Sequence, residues 1–324
     1  MSPGQRSGAA HPEGDGVSGA HQGHGDSGDA GDRGGTVGGG VISGGADLHL
    51  HSRRSDGTDE PGRLVERAAS LGLEAISLTD HDTVAGVEET LEAGWRLGVR
   101  VLPGAEFSAE FKGHEIHLLA YAFDPRSSEL RKALEEFRRE RERRAERIVE
   151  RLNELGIRLS MEQVRENVGE ASLGRPHLAD ALLRTRAVST FQEAFNRFLN
   201  PGRPAFIPRA RFSLEAARRV TWAAKGVLIL AHPHLNLSSG NIQALLEEGI
   251  DGLETAHPKL KPSQCRELSS LAAKRGVLQT GGSDCHGERR GPIRLGTIRV
   301  SVENVDRIER VAAERGASAA GKQG

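Results

Sequence analysis

The feature that most constrains the fold is a regular alternation of short apolar runs and amphipathic segments, which begins at residue 46. Leu64, Ala68 and Leu71 are spaced as one face of a helix, and Leu268 and Leu271 show similar spacing later in the chain. This alternation predicts a parallel α/β fold, either a barrel or an open sheet. The predicted strands are 46–50, 74–78, 99–102, 116–122, 226–231, 252–255 and 277–280.

The two ends of the chain differ in composition from its body. Residues 1–45 hold 16 of the 41 glycines and few apolar side chains, so burial there cannot offset the entropy lost on ordering. We therefore expect a disordered glycine-rich tail over residues 1–45. The folded domain is expected over residues 46–316, followed by a flexible C-terminus over 317–324.

Residues 127–200 interrupt the alternation, because their patterns are helical throughout, and prolines follow from Pro201 onward. We expect a helical insertion over about 127–205. Its most charged segment, 138–151, interleaves Glu and Arg at four-residue spacing. One interpretation is a solvated helix with surface ion pairs of about 0.3–0.5 kcal/mol each. The other is an arginine-rich face that guides a phosphorylated substrate inward.

Composition argues against several classes of protein. With 44 Lys and Arg against 45 Asp and Glu, the formal net charge is −1, without the basic excess typical of proteins that bind long nucleic acids. The aliphatic run 227–231 is far shorter than the roughly 20 residues of a membrane span, and no signal-peptide pattern is visible. Cys265 and Cys285 are too few for a disulfide framework, so we expect a cytoplasmic protein.

Histidines and carboxylates occur where the predicted strands end, and ten of the thirteen histidines follow residue 45. Active sites of parallel α/β folds assemble at the carboxyl ends of the strands, so six imidazoles and three carboxylates should converge there. So many polar groups need partners, and two or three divalent ions (Mn, Zn or Fe) suit mixed nitrogen and oxygen ligands. The candidate ligands are His49, His51, Asp56, His81, Glu106, His117, His232, Asp284 and His286.

Five motifs around these residues resemble the PHP (polymerase and histidinol phosphatase) superfamily, in the family's order over roughly residues 46–300. They are Asp47-Leu48-His49-Leu50-His51-Ser52, Ser55-Asp56-Gly57, Thr79-Asp80-His81-Asp82, Pro103-Gly104-Ala105-Glu106 and Gly282-Ser283-Asp284-Cys285-His286-Gly287. The resemblance implies a metal-dependent phosphoesterase with an α/β fold, a distorted (β/α)7 barrel that carries a metal cluster at its carboxyl end.

The resemblance also divides the nine ligands among three metals. The first set would be His49, His51, Glu106 and Asp284, the second Glu106, His117 and His232, and the third Asp56, His81 and His286. The family often has His where this chain has Asp56. His257, which follows a predicted strand, is a candidate for supporting a ligand or contacting the substrate.

A closer likeness lies in the helical insertion, in Gly174-Arg175-Pro176-His177-Leu178-Ala179 and Pro204-Ala205-Phe206. These segments resemble a branch of small bacterial PHP phosphoesterases. That branch includes 3′,5′-nucleoside bisphosphate phosphatases and enzymes that trim short oligoribonucleotides 5′ to 3′. Its insertion caps the active site, which implies that Arg175 and His177 bind the phosphate of a nucleotide or short oligoribonucleotide.

Two other functions stay open at the level of sequence. One is another PHP small-molecule phosphatase, such as a histidinol-phosphatase, which the Arg175-Pro176-His177 segment disfavours. The other is a non-catalytic metal-binding module, which the retention of all nine candidate ligands disfavours.

Overall fold

The computed structural model describes residues 44–166, 168, 173–208, 211–290 and 292–320. Apart from Gly44 and Gly45, the predicted N-terminal tail lies outside these residues, and so do residues 321–324. The last helix extends to Ala320, so residues 317–320, which we expected to be flexible, are helical. No helix in the described part of the chain is long and apolar enough to cross a membrane.

Strands and helices alternate along most of these residues. The strands are β1 (Ala46–Leu50), β2 (Ala75–Leu78), β3 (Arg100–Phe111), β4 (His114–Tyr121), β5 (Phe212–Ser213), β6 (Val227–Leu230), β7 (Gly252–Ala256) and β8 (Leu278–Gly281). The helices are α1 (Pro61–Ser70), α2 (Val87–Leu97), α3 (Ser128–Glu154), α4 (Met161–Arg165), α5 (Arg175–Arg184), α6 (Phe191–Ala194), α7 (Leu214–Ala223), α8 (Ser239–Glu247), α9 (Pro262–Arg275) and α10 (Val302–Ala320). A π-helical turn at Phe195–Leu199 follows α6.

Seven strands form one sheet in the order β1-β2-β3-β4-β6-β7-β8, and β5 pairs with β3. The two ends of this sheet meet, because Leu50 of β1 bridges to Cys285, just after β8. The His51 N–H donates to the Cys285 carbonyl at 2.9 Å, which strengthens this closure. The result is a nearly closed barrel, and the predicted seven-stranded α/β barrel is confirmed.

One strand does not follow the wholly parallel arrangement that we expected. β3 and β4 pair antiparallel, and β4 is also antiparallel to β6. Only Lys112 and Gly113 link β3 to β4, and their positive φ angles of 49° and 79° are those of a two-residue hairpin turn. A parallel pair needs a crossover of roughly a dozen residues or more. The expectation of parallel pairing was therefore wrong at β4.

Some polar residues of the site lie on the same strand faces as an apolar cluster inside the barrel. Leu102 of β3 and Leu119 of β4 are fully buried in this cluster, together with Val305 of α10. Side chains an even number of residues apart on a strand share a face. Glu106 therefore shares its face of β3 with Leu102, and His117 shares its face of β4 with Leu119.

The insertion has a hydrophobic core of its own, and α3 connects that core to the barrel. Leu130 and Leu134, near the start of α3, pack into a core of the barrel, whereas Ile148 and Leu152 belong to the core of the insertion. With 27 residues, α3 is about 40 Å long and can reach both cores. The core of the insertion extends to Ile207.

Candidate metal centre

The nine side chains predicted as metal ligands converge at one end of the barrel, and Glu106 lies at their centre. Its Oε2 lies 2.8 Å from His81 Nδ1, and its Oε1 lies 2.7 Å from His117 Nδ1. His232 Nε2 is 3.2 Å from Oε1, and His51 Nε2 is 3.4 Å from Oε2. One carboxylate thus joins histidines from β1, from β4 and from the segments that follow β2 and β6.

Asp284 and Asp56 connect the remaining members of the cluster. Asp284 Oδ1 lies 3.7 Å from His49 Nε2, and 3.4 Å from both His51 Nε2 and His286 Nδ1. Asp56 Oδ1 lies 3.2 Å from His286 Nε2 and 4.0 Å from His51 Nδ1. His49 and His51 both face this cluster, as their spacing of two residues predicts.

Unusual backbone conformations position several of these side chains. Asp82, His232 and Asp284 have positive φ angles of 52°, 30° and 49°, a conformation that costs non-glycine residues about 1–3 kcal/mol each. Gly282 is required for a different reason, since a Cβ at this position would lie 2.4 Å from the backbone nitrogen of His49. Only glycine allows the chain before Asp284 to pass so close to β1.

Burial and neighbouring charges together set the ionisation of the cluster. Burial alone would raise the pKa of Glu106, but the surrounding histidines, His81 foremost, hold that pKa well below its usual value. The pKa of Asp284 is also well below its usual value in spite of burial, because His257 contacts its carboxylate. Burial lowers the pKa of His51 well below its usual value. Ionised carboxylates and neutral imidazoles are the forms that bind metal ions.

Several buried ring nitrogens of the cluster have no hydrogen-bond partner in the protein. These are His49 Nε2, both ring nitrogens of His51 and His286 Nε2, which make no hydrogen bond among the described residues. Each unpartnered buried polar group costs about 1–3 kcal/mol. Mixed imidazole and carboxylate donors suit divalent Mn, Zn or Fe. The donor set therefore fits metal ions.

The donor atoms fall into groups whose members lie within 4.8 Å of one another. These groups are His51, Asp56, His81 and His286, then His49, His51 and Asp284, then His81, Glu106 and His117, and finally His49, Glu254 and His257. His81 joins two groups, because its Nδ1 faces Glu106 while its Nε2 lies 3.9 Å from Asp56. Each of the first three groups could hold one metal ion.

One carboxylate of the site, Glu254, was missed by the sequence analysis. Glu254 on β7 is fully buried, with Oε1 2.9 Å from His49 Nδ1 and Oε2 accepting the His232 N–H at 2.6 Å. Burial would lower the pKa of His49, but Glu254 and Glu106 raise it well above its usual value. The available signal was a glutamate within the apolar strand Gly252-Leu253-Glu254-Thr255.

Arginines of the insertion line a cleft of about 210 Å³ beside the ligand cluster. His81 and His117 form part of its lining, and so do Arg141, Arg144 and Arg175. Arg141 and Arg144 are only 9% and 8% exposed, which is unusual for arginine. These two residues match the prediction of an arginine-rich face, whereas other arginines of the same segment form surface ion pairs.

Arg141 also ties the insertion to the ligand-bearing strands. Its Nη2 lies 3.0 Å from Asp82 Oδ2, and the Asp82 carboxylate accepts hydrogen bonds from the N–H and Oγ of Ser108 at 2.7 and 2.8 Å. Asp82 directly follows His81, and its own N–H donates to the Glu106 carbonyl at 2.9 Å. One buried ion pair thus joins α3 to the backbone that positions two of the ligands.

Arg175 and His177 have different places in the insertion. Arg175 lines the cleft, its Nη1 donates to the Leu199 carbonyl at 3.2 Å, and its guanidinium lies 5.7 Å from the ring centre of Phe206. His177 is buried, and its Nδ1 accepts the Gly174 N–H at 3.0 Å at the start of α5. His177 therefore caps the helix that carries Arg175, and its contact with substrate stays a prediction.

Comparison with known proteins agrees with this geometry. The model of the PHP domain matches residues 47–193. The 5′-3′ exoribonuclease of Haemophilus influenzae is 31% identical over 245 residues, which are 74% of this chain and 89% of that protein. The chain belongs to the PHP family.

Two further proteins extend the PHP comparison. The 3′,5′-nucleoside bisphosphate phosphatase of Chromobacterium violaceum is 30% identical over 251 residues, 76% of this chain and 88% of that protein. Among solved structures, that of a proposed metal-dependent phosphoesterase from Bifidobacterium adolescentis has a TM-score of 0.76 at 33% identity. That match covers 83% of this chain and 96% of the other. This PHP chain is accordingly a hydrolytic, metal-dependent phosphoesterase.

The PHP model ends at residue 193, before three of the candidate ligands. His232 follows β6, and Asp284 and His286 follow β8. Closure of the barrel between β1 and β8 brings these residues to the ligands of the first half. The candidate metal centre of this PHP chain therefore draws its residues from the whole barrel.

Proposed function

We propose that this PHP phosphoesterase acts on nucleotides, removing a phosphate from 3′,5′-nucleoside bisphosphates or trimming short oligoribonucleotides 5′ to 3′. The observation that carries this proposal is the arginine-lined cleft beside the ligand cluster. A nucleoside bisphosphate has two phosphates, so one can lie at the metals while arginines neutralise the other. The substrates named for two relatives support the same class of compound.

The proposed metals are two or three divalent ions of Mn, Zn or Fe, held by the nine ligands. The proposed sets are His49, His51, Glu106 and Asp284, then Glu106, His117 and His232, and then Asp56, His81 and His286. The contacts of Glu106 with His49, His51, His117 and His232 support its place in two sets. When bound, such ions lower the pKa of coordinated water towards about 7 and polarise phosphate oxygens.

In this proposal, side chains of the insertion bind a phosphate of the substrate and thereby determine which phosphate ester is hydrolysed. Arg175, held by the Leu199 carbonyl, offers the planar donor pair that matches two phosphate oxygens. Arg144, whose Nε donates to the Ile207 carbonyl at 2.7 Å, brings a second positive charge to the same cleft. Arg141 forms the buried ion pair with Asp82, and the proposed phosphate contacts are those of Arg144 and Arg175 in the cleft.

Histidinol phosphate is the less suitable substrate on electrostatic grounds. It has one phosphate and a protonated amine, and Arg144 and Arg175 repel that amine at short range. The two carboxylates of the lining have partners of their own, since Glu115 pairs with Arg211 at 2.6 Å and Asp56 lies 3.2 Å from His286. A nucleotide with a second phosphate gains attraction from the two arginines. The cleft therefore favours polyanionic substrates over a zwitterionic one.

The test is a panel of substrates for protein loaded with Mn²⁺. The panel contains adenosine 3′,5′-bisphosphate, a 5′-phosphorylated triribonucleotide and histidinol phosphate. We expect release of inorganic phosphate from the bisphosphate, and release of nucleoside monophosphates from the trinucleotide would identify trimming. Histidinol phosphate as the best substrate would contradict the proposal.

A pair of variants on α3 tests the role of the cleft. The change Arg144→Gln removes a charged hydrogen bond worth about 1.5–3 kcal/mol, which corresponds to about a 10- to 100-fold lower kcat/KM for the bisphosphate. Arg139→Gln makes the same change of charge on an exposed part of the helix, where Arg139 pairs with Glu135. Equal activity of the two variants would contradict substrate binding in the cleft.

A further inference from the structure

The insertion lines the arginine-lined cleft with apolar groups as well as charged ones. Pro176, at the start of α5, and Phe195, at the start of the π-helical turn, both belong to the lining. The barrel contributes His81 and His117, two of the proposed ligands, to the same lining. The cleft therefore offers polar groups from the barrel and an apolar surface from the insertion. A compound that combines a phosphate with a flat apolar ring matches this arrangement.

A rare backbone conformation carries Phe195. Phe195–Leu199 form a π-helical turn, in which the Asn200 N–H donates to the Phe195 carbonyl at 3.0 Å, five residues back. Turns of this kind are rare and frequently occur at functional sites. The same turn provides the Leu199 carbonyl that accepts a hydrogen bond from Arg175 at 3.2 Å. One turn thus holds two lining residues of the cleft, an aromatic ring and a guanidinium.

The core of the insertion supports the ring of Phe195. Phe195 is partly buried and packs against that core, and its ring centre lies 5.3 Å from the ring centre of Phe191. The planes of the two rings meet at 51°, and tilted contacts of this kind are favourable for aromatic pairs. A side chain held in this way loses little conformational freedom when a ligand packs against it. Phe195 is therefore preorganised to contact a ligand in the cleft.

We infer that Phe195 is a stacking site for the nucleobase of the substrate. This inference rests on the proposed function, in which Arg144 and Arg175 bind a phosphate in the same cleft. Stacking uses the face of a base, which every base has, so the site accepts different bases. A sugar phosphate without a base gains nothing from Phe195. The stacking site thus selects nucleotides over sugar phosphates, with little preference among the bases.

The first experiment measures how much the base contributes to binding. Adenosine 5′-monophosphate and ribose 5-phosphate, which differ by the base, are titrated calorimetrically into Mn²⁺-loaded wild-type protein, Phe195→Leu and Trp95→Leu. Trp95 is 86% exposed on α2 and outside the described lining of the cleft, so it provides the control for loss of an aromatic ring. We expect wild type and Trp95→Leu to bind the nucleotide about 5- to 150-fold more tightly than the sugar phosphate. In Phe195→Leu this ratio should fall at least fivefold.

A second variant reports contact with the base directly. Phe195→Trp keeps an aromatic face and adds a fluorophore at the site, and a base that stacks on an indole quenches its emission. Wild type contains Trp95 and Trp222, so its fluorescence gives the baseline. We expect adenosine and uridine 5′-monophosphates to quench Phe195→Trp more than wild type, and ribose 5-phosphate to quench both proteins equally. This measurement does not depend on the folding of Phe195→Leu.

Two results would overturn the inference. One is a ratio of affinities in Phe195→Leu within twofold of wild type, and the other is equal quenching of Phe195→Trp and wild type by adenosine 5′-monophosphate. Either result, together with release of phosphate from adenosine 3′,5′-bisphosphate, would leave the proposed function intact. A preference for the nucleotide that depends on Phe195, without hydrolysis of any nucleotide of the panel, would refute the proposed function alone.

Discussion

Replacing Glu254 with glutamine should weaken metal binding although Glu254 is not itself one of the nine proposed ligands. Its two oxygens serve two donors, His49 Nδ1 at 2.9 Å and the His232 N–H at 2.6 Å. The amide of Glu254→Gln has the same shape but only one accepting oxygen. Either orientation of this amide therefore fails to satisfy one of the two donors.

The two orientations have different consequences. With the amide oxygen towards His49, the amide NH₂ faces the His232 N–H, and an unsatisfied buried donor costs about 1–3 kcal/mol. With the orientation reversed, the amide donates to His49 Nδ1 and moves the ring proton to Nε2, the atom that faces Asp284 and Glu106. A protonated Nε2 cannot bind a metal.

The expected loss of metal affinity is about 10- to 100-fold, the usual effect of removing a carboxylate behind a histidine ligand. This corresponds to about 1.4–2.8 kcal/mol. The metal-free protein should also melt at a lower temperature, by roughly 2–4 °C per kcal/mol lost. Mn²⁺ affinity is measured by competition with a chromophoric chelator, and stability by thermal unfolding with chelator present.

Glu267→Gln is the matched control. Glu267 also lies close to a histidine, with Oε2 3.5 Å from His234 Nε2, but it is half exposed and outside the ligand cluster. We expect this variant to bind Mn²⁺ like wild type. If Glu254→Gln also kept wild-type affinity, the argument that Glu254 fixes the ring proton of His49 would be refuted.

Three further predictions concern the ligand cluster and its supports. Arg141→Gln leaves the Asp82 carboxylate without its buried ion pair and should destabilise the protein by about 3–5 kcal/mol, measured by denaturant unfolding; a change below 1 kcal/mol would contradict this. Gly282→Ala places a methyl group 2.4 Å from the His49 nitrogen and should lower the bound metal per chain, measured by elemental analysis. The comparison is Gly240→Ala, where a Cβ lies 4.0 Å from the nearest atom. The third prediction follows from the raised pKa of His49. The proton on His49 stabilises the metal-free fold at pH values below the pKa of the unfolded chain, 6.5. This stabilisation is lost as the pH rises through the higher pKa of the folded protein. A metal ion must displace this proton, so the affinity for Mn²⁺ should fall as the pH falls. Calorimetry at neutral pH in buffers of different ionisation enthalpy should detect the release of about one proton on metal binding. Uptake of protons would contradict this assignment.

Most of the ligands were predictable because they belong to short motifs at or after the end of a strand. His49 and His51, for example, are spaced by two residues at the end of β1, and Asp284 and His286 follow β8 at the same spacing. Such motifs depend on local sequence and on the general rule that parallel strands end at a common rim. That rule accounts for the ligands that follow β1, β2, β6 and β8, whereas His117 lies on the antiparallel β4 and Glu106 lies within β3.

The strand that carries Glu106 is longer than the local sequence pattern predicted. The sequence predicted a strand over 99–102, whereas β3 continues to Phe111 through Pro103-Gly104, a pair typical of turns. Gly104 pairs with Tyr121 of β4, and Pro103 pairs with Leu78 of β2. These pairings, between residues far apart in sequence, override the local turn preference.

Glu254 and the arginines of α3 were not assigned from sequence for a related reason. Glu254 lies within an apolar strand, and its role depends on the backbone of His232 and the ring of His49. Arg141 and Arg144 have the same sequence environment as the surface arginines around them. Their burial depends on how a helix of about 40 Å crosses between two hydrophobic cores.

The sequence by itself determined the alternation of strands and helices and the chemical nature of the candidate ligands, because apolar periodicity and short motifs depend on neighbours along the chain. The choice of a barrel over an open sheet came from the resemblance to the PHP family. Only the tertiary structure decided the antiparallel β4, the support from Glu254 and the burial of Arg141 and Arg144 beside the ligand cluster. Each of these depends on distances between residues that are far apart in sequence. The fold sets those distances through packing and hydrogen bonding, which no local pattern contains.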